Sequence, residues 1–377
     1  ILTSTSKEAY DWFHALTFYK IQLESKTEIL QLPEWETLPY DAFSPQQDII
    51  SDRLHTLKKI LQLEKFVLIL SPQTLVQRIA PASYIKGYSL GLARGQTFNL
   101  SKWKDDLTSS SYRQVEIVRN RGEYAVRGSL IDIFPMGADY PVRADLLDNR
   151  VDSLRIFDPE TQRTKEHTNS VTFLPAKEFP FDQKAISKFQ QSWHNTFDGD
   201  VKKSSIYRDI SDGISANGIE YYLSFFFDHL ETIFHYVPEG SLFIGLEGHR
   251  EGVQSFLQNT TDRYESLRHD ITKPIVPPKS LLLDEEELDL AIKSHSLITI
   301  TQTQKSGKSS SFDCQTLPDI SINSSLENPG SALKRFVSDL NVPYLFVASS
   351  PGRREILSDF LKHSEIGFTD LDSSKTN

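Results

Sequence analysis

Arg127, in Val126-Arg127-Gly128, and Arg143, in Val142-Arg143-Ala144-Asp145, stand where apolar and polar residues alternate along the chain. A planar guanidinium on the polar side of such a strand offers a fork of N–H donors to a carboxylate, either the protein's own or one on a partner. The sequence leaves both outcomes open, because Asp132, Asp139, Asp145 and Asp148 lie in the same stretch. Those four carboxylates suggest a nuclease-type metal cluster, which would have to converge on ions about 4 Å apart. No His or Cys at ligand spacing accompanies them, so cross-strand ion pairing with the arginines explains them better.

Other reactive residues are poorly placed. Gly307-Lys308-Ser309 follows an apolar run at 297–301, but a phosphate loop needs a glycine at position 302, which is Gln302, and a helix straight after. Residues 310–314 have no helical pattern, so the tripeptide reads as a solvated turn. No other such loop and no DExH or DExD run occurs, which leaves ATP hydrolysis without a phosphate cradle or a magnesium carboxylate. The acidic run at 284–289 reads as the first turn of a solvated helix, where carboxylates oppose the helix dipole. There is no GxSxG, Cys314 has no His close by in sequence, and His14 sits inside an aromatic helix pattern. No catalytic, cofactor-binding or metal site is therefore expected.

The arginines depend on the stretch 121–158 for their position. Apolar residues alternate at 123–127, recur at 129–134, and return at Val142, Ala144, Leu146, Leu154 and Ile156, with turn signals at 135–137 and 148–150. This predicts a four-stranded meander with one face on a core and a second face carrying Arg127, Arg143, Arg155 and their acidic neighbours. Such a sheet offers a surface to a partner rather than a pocket to a substrate.

At 377 residues the chain is long enough for two to four domains. A hydrophobic content of 38%, with 23 Phe and 14 Tyr, argues for packed cores and against disorder. One cysteine excludes an internal disulfide framework and fits a reducing compartment. No run approaches the roughly eighteen apolar residues of a spanning helix, and the start lacks a signal-peptide pattern, so a cytoplasmic location without membrane contact is expected. The opening at Ile1, without Met, reads as a fragment of something longer. A net charge of −10 opposes nonspecific attraction to nucleic-acid phosphates.

Residues 1–89 alternate helix (7–19, 48–63) and strand (28–33, 65–71), which suggests a doubly wound α/β layer. From about residue 90 to 175 short strands and one helix (101–109) predominate, including the meander. Residues 176–270 read as helical and aromatic, with helices at 186–197 and 254–267 and a strand at 242–246. Residues 271–314 return to strands, one of which, 297–301, is placed back in the first sheet. Residues 326–330 read as a linker, and 327–377 as the start of a further small domain: helix 331–341, strand 344–348, helix 353–362.

The run RGEYAVRGSLIDIFPMG at 121–137, followed by RADLLD and DSLRIFDPETQRT, resembles the second domain of the bacterial transcription-repair coupling factor family, which is similar to a domain of the excision-repair protein UvrB. WETLPYDAFSPQQDII at 35–50 resembles the family's first domain, and the likeness continues through LPAKEFPFD and GIEYYLSFFF to PGRREIL. The resemblance implies a degenerate helicase-like (RecA-type) α/β domain at 1–89 and 271–314, an inserted UvrA-binding sheet domain at 90–175, and a helical, aromatic insertion at 176–270. It implies a non-catalytic module that recruits UvrA to stalled RNA polymerase, while the ATP-driven translocase motor and the contacts with polymerase and DNA lie elsewhere in the longer protein. The family's contact arginines carry over to Arg127 and Arg143, and a third contact position, aromatic in some relatives, falls on Leu147, which supplies an apolar surface but no ring. The alternative implied is a damaged-DNA-binding module like UvrB. UvrB inserts an aromatic hairpin after its tyrosine-rich loop, whereas here residues 40–48 pass almost directly into a helix.

Overall fold

The computed structural model describes residues 1–87, 90–302, 310–311, 318–322, 328–340, 344–348 and 350–369. Gly307-Lys308-Ser309 and Cys314, weighed above for phosphate binding and nucleophilic chemistry, lie outside the described residues. The chain divides into two compact units, Ile1–Gln302 and Thr303–Asn377.

In the first unit a parallel array forms around Leu2. Glu28–Gln31 pairs with Phe66–Ile69, Leu242–Gly245 pairs with Ser296–Thr299, and Leu2 bridges the two pairs through Leu70 and Gly245. Hydrogen bonds from Thr3 N to Leu70 O (3.0 Å) and from Leu2 N to Ile244 O (2.8 Å) close the stitch. The strand at Leu242–Gly245, which the sequence grouped with the aromatic segment 176–270, is thus paired into the first sheet. Burial explains the error, because a four-residue apolar run looks the same whichever sheet it joins. Leu2 is the switch point of the array: the chain runs from it to one side first and returns to its other side only at residue 242. The turn after Leu2 is closed by the protein itself, since Ser4 N and Ser4 Oγ both donate to Glu8 Oε2 at 2.7 and 2.8 Å. Thr5 caps the helix Ser6–Gln22 that follows.

A six-stranded sheet comes next, its neighbours in chain order: Arg113–Gln114, Glu123–Arg127, Leu130–Ile133, Val142–Leu147, Arg150–Phe157 and Thr164–Thr168. The four predicted strands are its centre. The sequence missed the two edges because Arg113–Gln114 is only two residues long and Thr164–Thr168, TKEHT, carries no apolar alternation. A charged edge strand of this kind also discourages pairing with another chain. Beside the sheet, Leu90–Ala93 pairs antiparallel with Ser170–Phe173.

The aromatic segment folds as expected around rings. The helix Gln183–Thr196 buries Ala185, Ile186, Phe189 and Trp193 at helical spacing. Trp193 stacks on Tyr222, which belongs to the 3₁₀ turn Ile219–Phe225, with centroids 5.6 Å apart. In the second unit the helices Ser331–Asp339 and Pro351–His363 match their expected places, but the expected strand at 344–348 forms no strand, and Tyr344, Leu345 and Val347 are exposed. A strand needs a partner ladder, and among the described residues of this unit there is none.

One buried ion pair fastens the helix Gln47–Gln62 to the segment that follows the strand Ser170–Phe173. Arg53, on the helix Gln47–Gln62, has a side chain 0% exposed and meets Glu178, 3% exposed, with Nε 2.6 Å from Oε1. Every arm of the guanidinium is used: Nη2 donates to Gln77 Oε1 at 2.9 Å and Nη1 to Pro33 O. Glu178 also accepts from Trp35 Nε1 at 3.0 Å. Nearby on the same helix, Ser51 Oγ accepts from Gly137 N at 2.8 Å and Gln47 Nε2 donates to Ala176 O at 2.7 Å. Gly137 has φ +81° and lies so close to Leu174 that a Cβ would meet its Cδ1 at 3.1 Å. Removing one partner of such a pair leaves a buried charge without compensation. We expect Glu178→Ala to lower the unfolding free energy in a urea titration by about 3–5 kcal/mol, and the paired apolar replacement Arg53→Met with Glu178→Leu to lose much less.

Candidate protein-binding face

Register on the meander sets out the candidate residues. Ala125 lies opposite Asp132, Asp132 opposite Arg143, Arg143 opposite Arg155, and Arg155 opposite His167, forming one row across five strands. The adjoining row is Arg127, Leu130, Asp145 and Ser153. Residues between them along each strand, Tyr124, Ile131, Ile133, Val142, Ala144 and Leu154, point the other way into the main core. Arg143 and Arg155 are like charges directly opposed, which is unfavourable unless neighbouring carboxylates compensate them. Two do: Arg155 pairs with Asp145, which also accepts from Ser153 Oγ at 2.7 Å, and Asp132 serves Arg143.

Asp132 is only 1% exposed, and both of its oxygens are engaged. Arg143 donates from Nε to Oδ1 at 2.6 Å and from Nη2 to Oδ2 at 2.9 Å, a two-pronged contact, and Arg127 donates from Nη2 to the same Oδ2. The Arg143 guanidinium lies over the Phe157 ring, 4.6 Å from its centroid. Phe157 belongs to a small second core with Val118, Ala125 and Phe134 beneath this face. Arg127 remains 45% exposed, against 17% for Arg143.

Leu147 ends its strand on the same face as Asp145 and is 62% exposed. It pairs with Arg150 across a two-residue loop, Asp148-Asn149, both at positive φ (47° and 61°), as a tight hairpin turn requires. Phe98 N donates to Asn149 O at 2.7 Å and pins the tip. The structure thus brings Arg127, Arg143 and Leu147 onto one face of the sheet. Asp132 and Asp145 are taken up by arginines, Asp148 shapes the turn, and Asp139 lies beside Arg121 at 3.8 Å. Among the described residues no group of three or more His, Cys, Asp or Glu is arranged to hold a metal ion. His14 is exposed on the helix Ser6–Gln22, its ring 4.1 Å from that of Tyr10.

Sequence reasoning missed Phe157 and Gln162. Phe157 left a signal, being an aromatic residue two positions after the outward Arg155. Gln162 left none: its Oε1 reaches Arg143 at 3.4 Å only because a turn with φ +60° folds it back, while its Nε2 donates to Pro159 O and Val118 O.

Residues 90–179 match the model of the UvrB interaction domain. The chain is 37% identical over 341 residues to the transcription-repair-coupling factor of Escherichia coli, covering 90% of this chain and 30% of that protein. It is also 37% identical over 341 residues to the transcription-repair-coupling factor of Haemophilus influenzae, covering 89% and 30%. The Myxococcus xanthus protein of the same name is 29% identical over 219 residues, 56% of this chain and 18% of the relative. The chain therefore spans about three-tenths of the length of the first two relatives. No described helix is long and apolar enough to cross a membrane.

Within the matched region, Glu123 fixes the loop that leads into the strand of Arg127. Burial works to raise its pKa, but the amides of Arg119 and Asn120, at 3.0 and 2.9 Å, and the Arg113 guanidinium outweigh it and hold the carboxyl below the usual range. A carboxyl whose pKa falls on folding stabilises the fold above its unfolded pKa, and that contribution is lost as pH drops through the lowered folded value. Urea midpoints measured from neutral to acid pH should show Glu123→Gln less stable than the parent at neutrality, with the gap closing in acid.

Proposed function

The chain carries a UvrB interaction domain and is a relative of the transcription-repair-coupling factors, and on that premise we propose that it is the UvrB-homology module that recruits UvrA to stalled RNA polymerase for nucleotide excision repair. The observation that carries this reading is the outward face of the meander, where Arg127, Arg143 and Leu147 share one surface inside the matched residues. Arginine and an apolar neighbour on a rigid sheet form the kind of centre around which protein interfaces concentrate their binding energy. The module acts in the cytoplasm, and RNA polymerase and DNA are met through other parts of the longer protein.

The module itself is non-catalytic. On this reading the helicase-like domain comprises 1–87 and 271–302 with the strand Leu242–Gly245, ending where the first compact unit ends; 90–175 form the UvrA-binding domain, 176–270 the insertion, and the second unit contains the start of a further domain. In doubly wound folds ligands bind beyond the strand ends at the switch point. Here the amide and hydroxyl of Ser4 at that point are already spent on Glu8, a negative charge where a phosphate would need donors. A UvrB-like role in binding damaged DNA is the weaker reading. Tyr40, in the tyrosine-bearing loop, is 4% exposed and packed beside Tyr221 and Tyr264, so it has no free face for a base.

Calorimetry with purified UvrA tests the proposal. The intact chain should bind at micromolar Kd or tighter. The folded Arg127→Ala/Arg143→Ala variant should bind at least about tenfold more weakly, roughly 1.4 kcal/mol. Absence of binding by the intact chain would reduce the likeness to shared ancestry of fold.

A further inference from the structure

The two arginines of the face are not equivalent. Arg143 is held on several sides: a two-pronged contact with Asp132, the Phe157 ring below, and Gln162 at its edge. Arg127 meets the same carboxylate through Nη2. That is its one side-chain hydrogen bond among the described residues, and its side chain is 45% exposed. Two guanidinium groups on one carboxylate leave a positive charge uncompensated within the cluster, and it lies on the more exposed arginine.

We infer that Asp132 is the positioning residue of this face: it locks Arg143 as a fixed wall and tethers Arg127 by one end, so that Arg127 is presented to an acidic side chain of the bound protein. The inference rests on the reading that this face binds UvrA, and assigns the chemistry of that contact. Orientation matters because a long arginine side chain otherwise gives up rotamer freedom on binding. A buried carboxylate that fixes the guanidinium beforehand removes part of that cost. The same carboxylate also keeps Arg143 and Arg155, opposed across the sheet, from repelling one another.

A double-mutant cycle in the full chain separates positioning from mere support of the fold. Asp132→Asn, Arg127→Gln and the combination are titrated with UvrA after circular dichroism confirms folding. If Asp132 positions Arg127, each single change weakens binding about tenfold or more and the combination falls well short of the product of the two losses. Wild-type affinity in Asp132→Asn, or losses that multiply in the combination, would overturn the inference and leave the UvrA assignment standing. Should Asp132→Asn fail to fold, arginine-selective NMR of the unaltered chain gives a second reading. The Nε–H of Arg143 should exchange with solvent at least tenfold more slowly than that of Arg127, and equal rates would refute the unequal hold. Failure of the unaltered chain to bind UvrA at all would instead remove the partner assignment, and the exchange rates would still judge the positioning.

Discussion

The buried pair of Arg53 and Glu178 is the constraint on which the first unit depends. Both charges are out of water, and each has its remaining hydrogen-bonding capacity met by Gln77, Pro33 O or Trp35. Such a pair contributes little net stability over apolar packing, but it tolerates only one arrangement, since any displacement strands a charge in a medium that cannot solvate it. Arg53 belongs to the helix Gln47–Gln62 and Glu178 to the chain leaving the sheet region, so the pair dictates how the meander is seated. Ser51 on Gly137 and Gln47 on Ala176 repeat the fastening along the same helix. On the proposed reading the face gains from this, because a sheet that rocked on its support would spend binding energy on being held still.

The second constraint is electrostatic and lies on the opposite face. Antiparallel register sets Arg143 against Arg155, and the sheet accommodates them because Asp132, directly opposite Arg143, and Asp145, diagonal to Arg155, each take up one of the two charges. The small core of Val118, Ala125, Phe134 and Phe157 beneath gives the arginines a flat apolar floor and keeps water from one side of the ion pairs. The resulting surface is rigid, cationic at its exposed arginine, and carried on a chain whose net charge is −10. Local arrangement and overall charge thus point to different partners. The arrangement suits an acidic protein surface, and the overall charge disfavours the phosphate backbone.

The residues of the face were legible in the sequence because a strand alternates with period two, and that alternation alone puts Arg127, Asp132, Arg143 and Asp145 on the side away from Ile131, Ile133 and Ala144. The helix Gln47–Gln62 was legible for the same kind of reason, with Ile50, Leu54 and Leu57 at helical spacing. Its polar residues Ser51, Arg53 and Thr56 are buried as well, because polar residues can be buried when partners distant in sequence satisfy them. Nothing within a dozen residues of Arg53 announces Glu178, 125 positions away.

The sequence by itself therefore determined the local periods: the longer helices, the four central strands of the meander with their turns, and which of its side chains face outward, since these follow from backbone geometry repeated every two or 3.6 residues. Tertiary structure alone decided the rest. It paired Leu242–Gly245 with Leu2 in the first sheet, denied the 344–348 run a ladder, and folded Gln162 back to Arg143. It also made Asp132 the shared anchor of two arginines rather than the mate of one. Each of these outcomes turns on which groups distant in sequence meet in space, and a buried charge or an unpaired strand is stabilised only by the particular partner that reaches it.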